Sequence, residues 1–323
     1  MNKPHVFVTR RMPAAGLDRV WEACEAEIWP GEMPPPYETL LEKVRGVDGL
    51  LCMLTDRIDG QLMDAAGPGL KVISQMAVGY DNIDVPAASA RGIPIGHTPG
   101  VLTEATADLA FALLLAAARR LTEGVNYIQE GQWRTWDPTA LLGRDLNGAT
   151  LGIIGLGRIG RAVARRAAGF NMRILAYSPS LTPESAAEVN AQAVDLETLL
   201  RESDFVSVHA PLNSHTRHLM NASTLALMKP DGILINTGRG GLVDSSALVA
   251  ALRSGVIGGA ALDVTDPEPI SLDDPLLTLP NALVVPHIGS ASVWTRDQMA
   301  QMAAENLIAG VTGQPLPHRV PAG

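Results

Sequence analysis

At 323 residues the chain exceeds one typical domain, and 46% hydrophobic against 18% charged residues excludes a disordered chain and suits a large buried core. A formal net charge of −9, from 34 acids and 25 bases, argues against nucleic acid or an anionic membrane as partner, although a few local arginines suffice to hold a small anion. Cys24 and Cys52 form no CxxC pair, no apolar stretch of signal-peptide length opens the chain, and the longest apolar run, residues 109–118, is half of the roughly 20 residues a membrane span needs. A cytoplasmic protein without a metal site is expected.

Taken in chain order, short apolar runs at residues 5–9, 49–54, 70–74 and 93–95 read as strands, with helical segments near 14–24, 38–45, 60–66 and 86–91 between them. Such alternation predicts a parallel sheet wrapped by helices. Residues 103–120 read as one long helix that Thr103 can cap, with Glu104 and Asp108 near its positive end. Its later part is apolar almost all round, so it is either a core helix or a surface covered by a second subunit. A second series follows, with strands at 150–154, 173–177, 205–208, 232–235, 259–262 and 282–285. Six closely spaced strands after one glycine-rich turn make a complete doubly wound unit. Residues 315–323 read as a loose tail. The expected fold class is α/β, with two doubly wound, Rossmann-like parallel-sheet domains and a cleft between them.

Gly155-Leu156-Gly157-Arg158-Ile159-Gly160 matches G-x-G-x-x-G. With 31 glycines in the chain, chance alone supplies roughly 0.3 such matches, so context must carry the reading. An apolar, β-prone run precedes the motif. Ile159, Val163, Ala167 and Phe170 follow at helical spacing, and a second strand completes a βαβ unit of about 30 residues. Gly155 permits the tight turn, Gly157 the approach of backbone to a pyrophosphate, and Gly160 close packing of helix on strand, with the phosphates meeting the helix N-terminus. An acid at the end of the second strand normally binds the ribose of NAD. Here Tyr177 is followed by Ser178-Pro-Ser180, with no acid before Glu184. A carboxylate that would repel a 2′-phosphate is missing and Arg158 lies in the loop, so NADP(H) is favoured and NAD(H) stays open.

Hydride transfer from a dinucleotide to a carbonyl needs a proton donor and a group that supports the donor's charge, and an acidic substrate needs a carboxylate anchor as well. In a doubly wound sheet these belong beyond the carboxyl ends of strands. Arg239, Glu268 and His287 follow three successive candidate strands. A guanidinium binds a carboxylate through two parallel bonds, and an imidazole titrates near neutrality and holds its charge better beside a carboxylate. Each residue taken singly also fits a surface ion pair or a loop charge.

Together, Asn236-Thr-Gly-Arg-Gly240, Leu262-Asp-Val-Thr-Asp-Pro-Glu-Pro269 and Pro286-His-Ile-Gly-Ser290, after the glycine motif, resemble the D-2-hydroxyacid dehydrogenase family in order and spacing. Val6-Phe-Val-Thr-Arg-Arg11, Gly49-Leu-Leu-Cys-Met-Leu54, Ala77-Val-Gly-Tyr-Asp-Asn82 and Thr98-Pro-Gly-Val-Leu-Thr103 resemble its glyoxylate/hydroxypyruvate reductase branch, and the likeness covers essentially the whole chain. The resemblance implies hydride transfer to glyoxylate or hydroxypyruvate, with Arg239 on the substrate, His287 as acid/base and Glu268 supporting it. Leu54 and the backbone N–H groups of Val78 and Gly79 would also bind substrate. Thr103, His209, Pro211, Thr216, Thr237, Gly238, Asp263 and Gly289 would line the cofactor, together with Ser178, Arg239 and His287. A tryptophan matching Trp136 reaches a neighbouring active site in this branch, which implies a homodimer; read without the resemblance, Trp133 and Trp136 are ordinary packing residues. A flavodoxin-like substrate domain of residues 1–99 plus 289–323 would flank a cofactor domain of 100–288. Gly238 departs from the alanine or serine usual there. Other D-2-hydroxyacid or phosphite dehydrogenases, and a dinucleotide-sensing corepressor, are the rival readings.

Overall fold

The computed structural model describes residues 3–321. The chain divides into two compact units, one running to Leu102 and resuming at Ala291, the other spanning Thr103–Ser290.

The first unit alternates strictly: β1 (His5–Val8), α1 (Ala14–Ala23), β2 (Glu25–Ile28), α2 (Tyr37–Lys43), β3 (Gly49–Cys52), α3 (Gly60–Ala66), β4 (Val72–Gln75), α4 (Val85–Ala90) and β5 (Ile95–Gly96). All pairings are parallel, in the order β2-β1-β3-β4-β5, a flavodoxin-like arrangement. Central β3 and β4 are buried at every position; β3 reads as a continuous apolar run, whereas β4 ends in the buried polar pair Ser74 and Gln75. Asp59 and Asp84 accept the N–H groups of Leu62 and Ala87 and so start α3 and α4. The helix Val293–Val311 returns to this unit and packs on α1, β3 and β4.

The second unit contains α5 (Thr103–Ala118), α6 (Leu121–Gln129), β6 (Thr150–Ile154), α7 (Arg158–Ala168), β7 (Arg173–Tyr177), α8 (Pro183–Ala187), β8 (Ala191–Ala193), α9 (Leu196–Glu202), β9 (Phe205–Val208), α10 (Ala222–Leu225), β10 (Ile233–Asn236), α11 (Ser245–Ser254), β11 (Gly259–Leu262) and β12 (Ala282–Val284); Val293–Val311 is α12. Its parallel sheet runs β8-β7-β6-β9-β10-β11-β12, so strand order reverses between β6 and β9. Helix α5 lies against α7, β10 and β11, and Ala107, Ala110, Phe111, Leu113, Leu114 and Ala118 enter the core. Much of its apolar surface is therefore covered within its own unit. Helix α6 is different: it buries no residue, and Leu121, Val125 and Ile128 are exposed.

Two parallel α/β sheets match the expected fold class, but three local details differ. Strands β2 and β8 escape a search for apolar runs because each is an edge strand with one neighbour. Their sequences, Glu-Ala-Glu-Ile and Ala-Gln-Ala, put polar side chains outward. The stretch 315–323 is not loose over its described part. Val320 donates its N–H to Ile95, Arg319 bridges antiparallel to Gly96, and the Val320 side chain is buried. Its docking depends on a strand more than 220 residues earlier, which no local pattern announces; residues 322 and 323 lie outside the described residues.

Candidate active site

The functional side chains of the second unit sit just beyond the carboxyl ends of β6, β7, β9, β10, β11 and β12. Parallel strands place all these ends along one edge, and the reversal between β6 and β9 opens the crevice there.

The glycine turn follows β6. Gly155 adopts φ +94°, and a Cβ there would lie 2.7 Å from the backbone of His209 and Ala210. A Cβ on Gly160 would overlap the Gly155 carbonyl, whereas nothing lies within 4 Å of one built on Gly157. The turn is thus closed on its inner side and open at Gly157, directly before α7. Helix α7 has no side-chain cap at its start, so its first N–H groups face outward, as dinucleotide phosphates require. These observations fit a bound dinucleotide. Leu156 and Ile159 flank the opening. After β7, Ser178 Oγ accepts the Leu156 N–H at 3.0 Å, so the residue in the place of the missing acid braces the glycine loop. Arg161 is tied to Glu188 and Ser185, while Arg158, exposed, has no carboxylate partner among the described residues.

Beyond β9, the ring nitrogens of His209 face the hydroxyls of Ser207 at 2.8 Å and Thr237 at 3.3 Å. Desolvation lowers its pKa to about 4, so the imidazole is neutral at pH 7. Thr216 closes the adjoining loop, its hydroxyl donating to the Pro211 carbonyl at 2.7 Å. Beyond β10, Asn236 is fully buried: its Oδ1 accepts the Gly238 N–H and its Nδ2 donates to the Arg239 carbonyl. That brace holds the Thr237–Gly238–Arg239 turn, and Arg239 Nη1 donates to the Gly238 carbonyl. A Cβ on Gly240 would overlap the Thr265 carbonyl, so this loop and the one after β11 touch backbone to backbone. Sequence reasoning assigned no role to Asn236, although it opens the quoted motif.

Asp263, at the end of β11, is buried and its carboxyl pKa is raised by that burial. Its two oxygens accept the N–H groups of Ile288 and Gly289 at 2.7 and 2.8 Å, and its carbonyl accepts that of His287 at 2.9 Å. The turn after β12 is thereby clamped around His287, which sits at φ +52°. Glu268 follows on the same loop as Asp263, and its Oε1 lies 2.5 Å from His287 Nδ1. A carboxylate can only accept, so Nδ1 carries the proton and Nε2 is the outward-facing nitrogen.

A model of the D-isomer-specific 2-hydroxyacid dehydrogenase NAD-binding domain matches residues 111–289. The chain belongs to this family. The dehydrogenase is 51% identical over 319 residues to a glyoxylate reductase of Korarchaeum cryptofilum, covering 98% of this chain and 96% of that one. A solved structure of a Thermus thermophilus protein, 50% identical, superposes with a TM-score of 0.91 over 98% of this chain and 100% of the other. An NADPH-dependent glyoxylate/hydroxypyruvate reductase of Sinorhizobium meliloti, solved with NADP and malonate, is 34% identical with a TM-score of 0.88, covering 99% and 98% of the two chains. The dehydrogenase is accordingly an oxidoreductase that uses a nicotinamide dinucleotide.

The remaining expected site residues lie elsewhere. Thr103 opens α5. Leu54, Val78 and Gly79 belong to the first unit, just beyond β3 and β4. Trp136 is 79% exposed in the long connection after α6, which makes it no ordinary packing residue within this chain. No helix among the described residues is long and apolar enough to cross a membrane.

Proposed function

We propose that the dehydrogenase reduces glyoxylate or hydroxypyruvate to the 2-hydroxy acid, preferring NADPH. The observation that carries the reading is the His287–Glu268 pair at 2.5 Å, clamped by Asp263 beyond the same sheet edge that presents Arg239 and the glycine turn. When bound, the dinucleotide supplies the hydride. Its phosphates would rest on the open turn at Gly157 and the start of α7, its ribose near Ser178, and its nicotinamide end near Thr237 and Asp263. His287 donates the proton from Nε2 to the carbonyl oxygen, and Glu268 stabilises the positive charge the ring carries beforehand. Arg239 binds the substrate carboxylate through two parallel bonds and orients the carbonyl; Leu54, Val78 and Gly79 of the first unit are substrate-binding residues, the last two through their backbone N–H groups.

Ser178 stands where an acid would oppose a 2′-phosphate, and Arg158, in the glycine loop that Ser178 braces, has no carboxylate partner among the described residues; both support the NADPH preference. The names of the Korarchaeum and Sinorhizobium relatives support the substrate class. A homodimer in which Trp136 reaches the neighbouring subunit's substrate accounts for the exposed apolar face of α6 and the exposed Trp133 and Trp136. Two buried free thiols, Cys24 and Cys52, support placement in the cytoplasm. The cofactor domain is the second unit and the substrate domain the first. Initial rates of NADPH and NADH oxidation with glyoxylate and with hydroxypyruvate test the reading. Rapid turnover favouring NADPH is expected; a clear NADH preference removes the Ser178 argument, and no turnover with either acid removes the substrate assignment.

A further inference from the structure

The loop after β4 contains Val78 and Gly79, whose N–H groups have no protein acceptor among the described residues. The carbonyls of the same two peptide units are both engaged. Ala77 accepts the Thr98 N–H at 2.9 Å, and the Val78 carbonyl lies 3.0 Å from His97 Nδ1. Because a carbonyl can only accept, Nδ1 of His97 carries the proton and donates. The only cis peptide bonds precede Pro267 and Pro269 among the described residues, so both units here are trans and planar, with N–H and C=O pointing in opposite directions. Two carbonyls tied to the segment after β5 therefore turn the Val78 and Gly79 N–H groups away from it, side by side. Successive backbone N–H groups so arranged make an anion-binding concavity.

His97 is itself held firmly. Its N–H donates to the His318 carbonyl at 3.0 Å, its carbonyl accepts Asn306 Nδ2 at 3.0 Å, and its ring meets Tyr80 edge-on at 5.7 Å between centroids. Gln75, fully buried, donates to the Gly79 carbonyl and pairs with Asn82, fixing the far side of the loop. Among the described residues, His97 alone contacts the carbonyl of the very peptide whose N–H belongs to Gly79.

We infer that His97 is a positioning residue for the substrate carboxylate: its Nδ1–H fixes the Val78–Gly79 peptide and strengthens the Gly79 N–H as a donor through hydrogen-bond polarisation. The inference rests on the reading that a 2-keto acid carboxylate binds at Val78 and Gly79. His97→Phe keeps the ring and its contact with Tyr80 but removes the donor. His97→Asn sets an amide N–H near the place of Nδ1. Steady-state kinetics with glyoxylate and NADPH, alongside thermal melts, give the test. His97→Phe is expected to raise KM for glyoxylate about tenfold, the effect of one lost hydrogen bond of ordinary strength, with kcat and KM for NADPH within about twofold. His97→Asn is expected to restore most of that loss. An unchanged glyoxylate KM in His97→Phe overturns the inference, as does an equal loss in both variants or a fall confined to kcat. If His97→Phe fails to fold, His97→Ala replaces it, and the comparison with His97→Asn decides in the same way. Absence of keto acid turnover by the unaltered enzyme overturns the carboxylate reading and this inference with it, an outcome distinct from an active enzyme indifferent to His97.

Discussion

Replacing His209 by glutamine removes a base that the fold keeps uncharged. In the folded enzyme desolvation lowers its pKa from the usual 6.5 to about 4, while in the unfolded chain it returns to the ordinary value. Between those two values the unfolded state binds the additional proton, so stability is complete above pH 6.5 and falls as the pH drops towards 4. A difference of about 2.5 pH units at about 1.36 kcal/mol each gives about 3 kcal/mol lost across that window. For a unit the size of Thr103–Ser290, this corresponds to roughly 6–12 °C in Tm. Thermal or urea melts of the two proteins at pH 7, 6, 5 and 4.5 isolate the contribution, because carboxylate titrations are common to both and cancel in the difference. The stability gap between the unaltered enzyme and His209→Gln should shift steadily in favour of the variant as the pH falls. A gap that stays constant from pH 7 to 4.5 would refute the claim that His209 is held neutral by burial between Ser207 and Thr237.

His287→Ala should lower kcat by about 10²–10⁴-fold with glyoxylate, as expected for loss of a general acid, and a loss under threefold in stopped-flow or steady-state rates would exclude that role. Glu268→Gln keeps an acceptor for Nδ1 but not the charge, so kcat/KM should drop about 10- to 100-fold with KM for NADPH unchanged; equal activity would show that the 2.5 Å contact does not serve the proton transfer. Arg239→Lys should raise KM and lower kcat together, because an ammonium cannot reproduce the two-pronged grip, and unaltered kinetics would remove Arg239 from the carboxylate. Gly238→Ala should be well tolerated, since the one close approach of the added Cβ is to the end of the Leu242 side chain at 2.9 Å, with the Ala210 carbonyl and Asn236 Oδ1 in ordinary contact at 3.4 Å. Gly240→Ala should lower Tm and activity strongly because its Cβ overlaps the Thr265 backbone; comparable melts for the two variants would contradict that packing.

The doubly wound character of both units was legible because central parallel strands are buried on both faces, so β3 and most of β6 are apolar runs, while β4, β9 and β10 also include the buried polar residues Ser74, Gln75, Ser207 and Asn236. The glycine turn was legible because Gly155, at positive φ, and Gly160, packed on the Gly155 carbonyl, admit no larger residue and so recur at fixed spacing in the sequence. Edge strands β2 and β8 bear no such demand, and their short polar sequences carry no distinguishing period. Gly238 departs from the usual alanine or serine, and Asn236 braces its loop from inside the core, a support that the sequence did not announce.

What the sequence by itself determined is the central strands, helices α1 to α5, the strand ends on which Arg239, Glu268 and His287 fall, and the family to which that spacing belongs. Burial pattern and glycine geometry are local properties, repeated every few residues and therefore readable along the chain. Only the tertiary structure decided which groups meet. Glu268 reaches His287 across 19 residues, Asp263 clamps the His287 turn across 25 and 26, and the tail from His318 to Val320 docks on β5. In the same way His97 holds the Val78 carbonyl across 19 residues. Hydrogen bonds between side chains and distant backbone depend on where two loops come to lie, and that is set by the sheet order rather than by any neighbour in sequence.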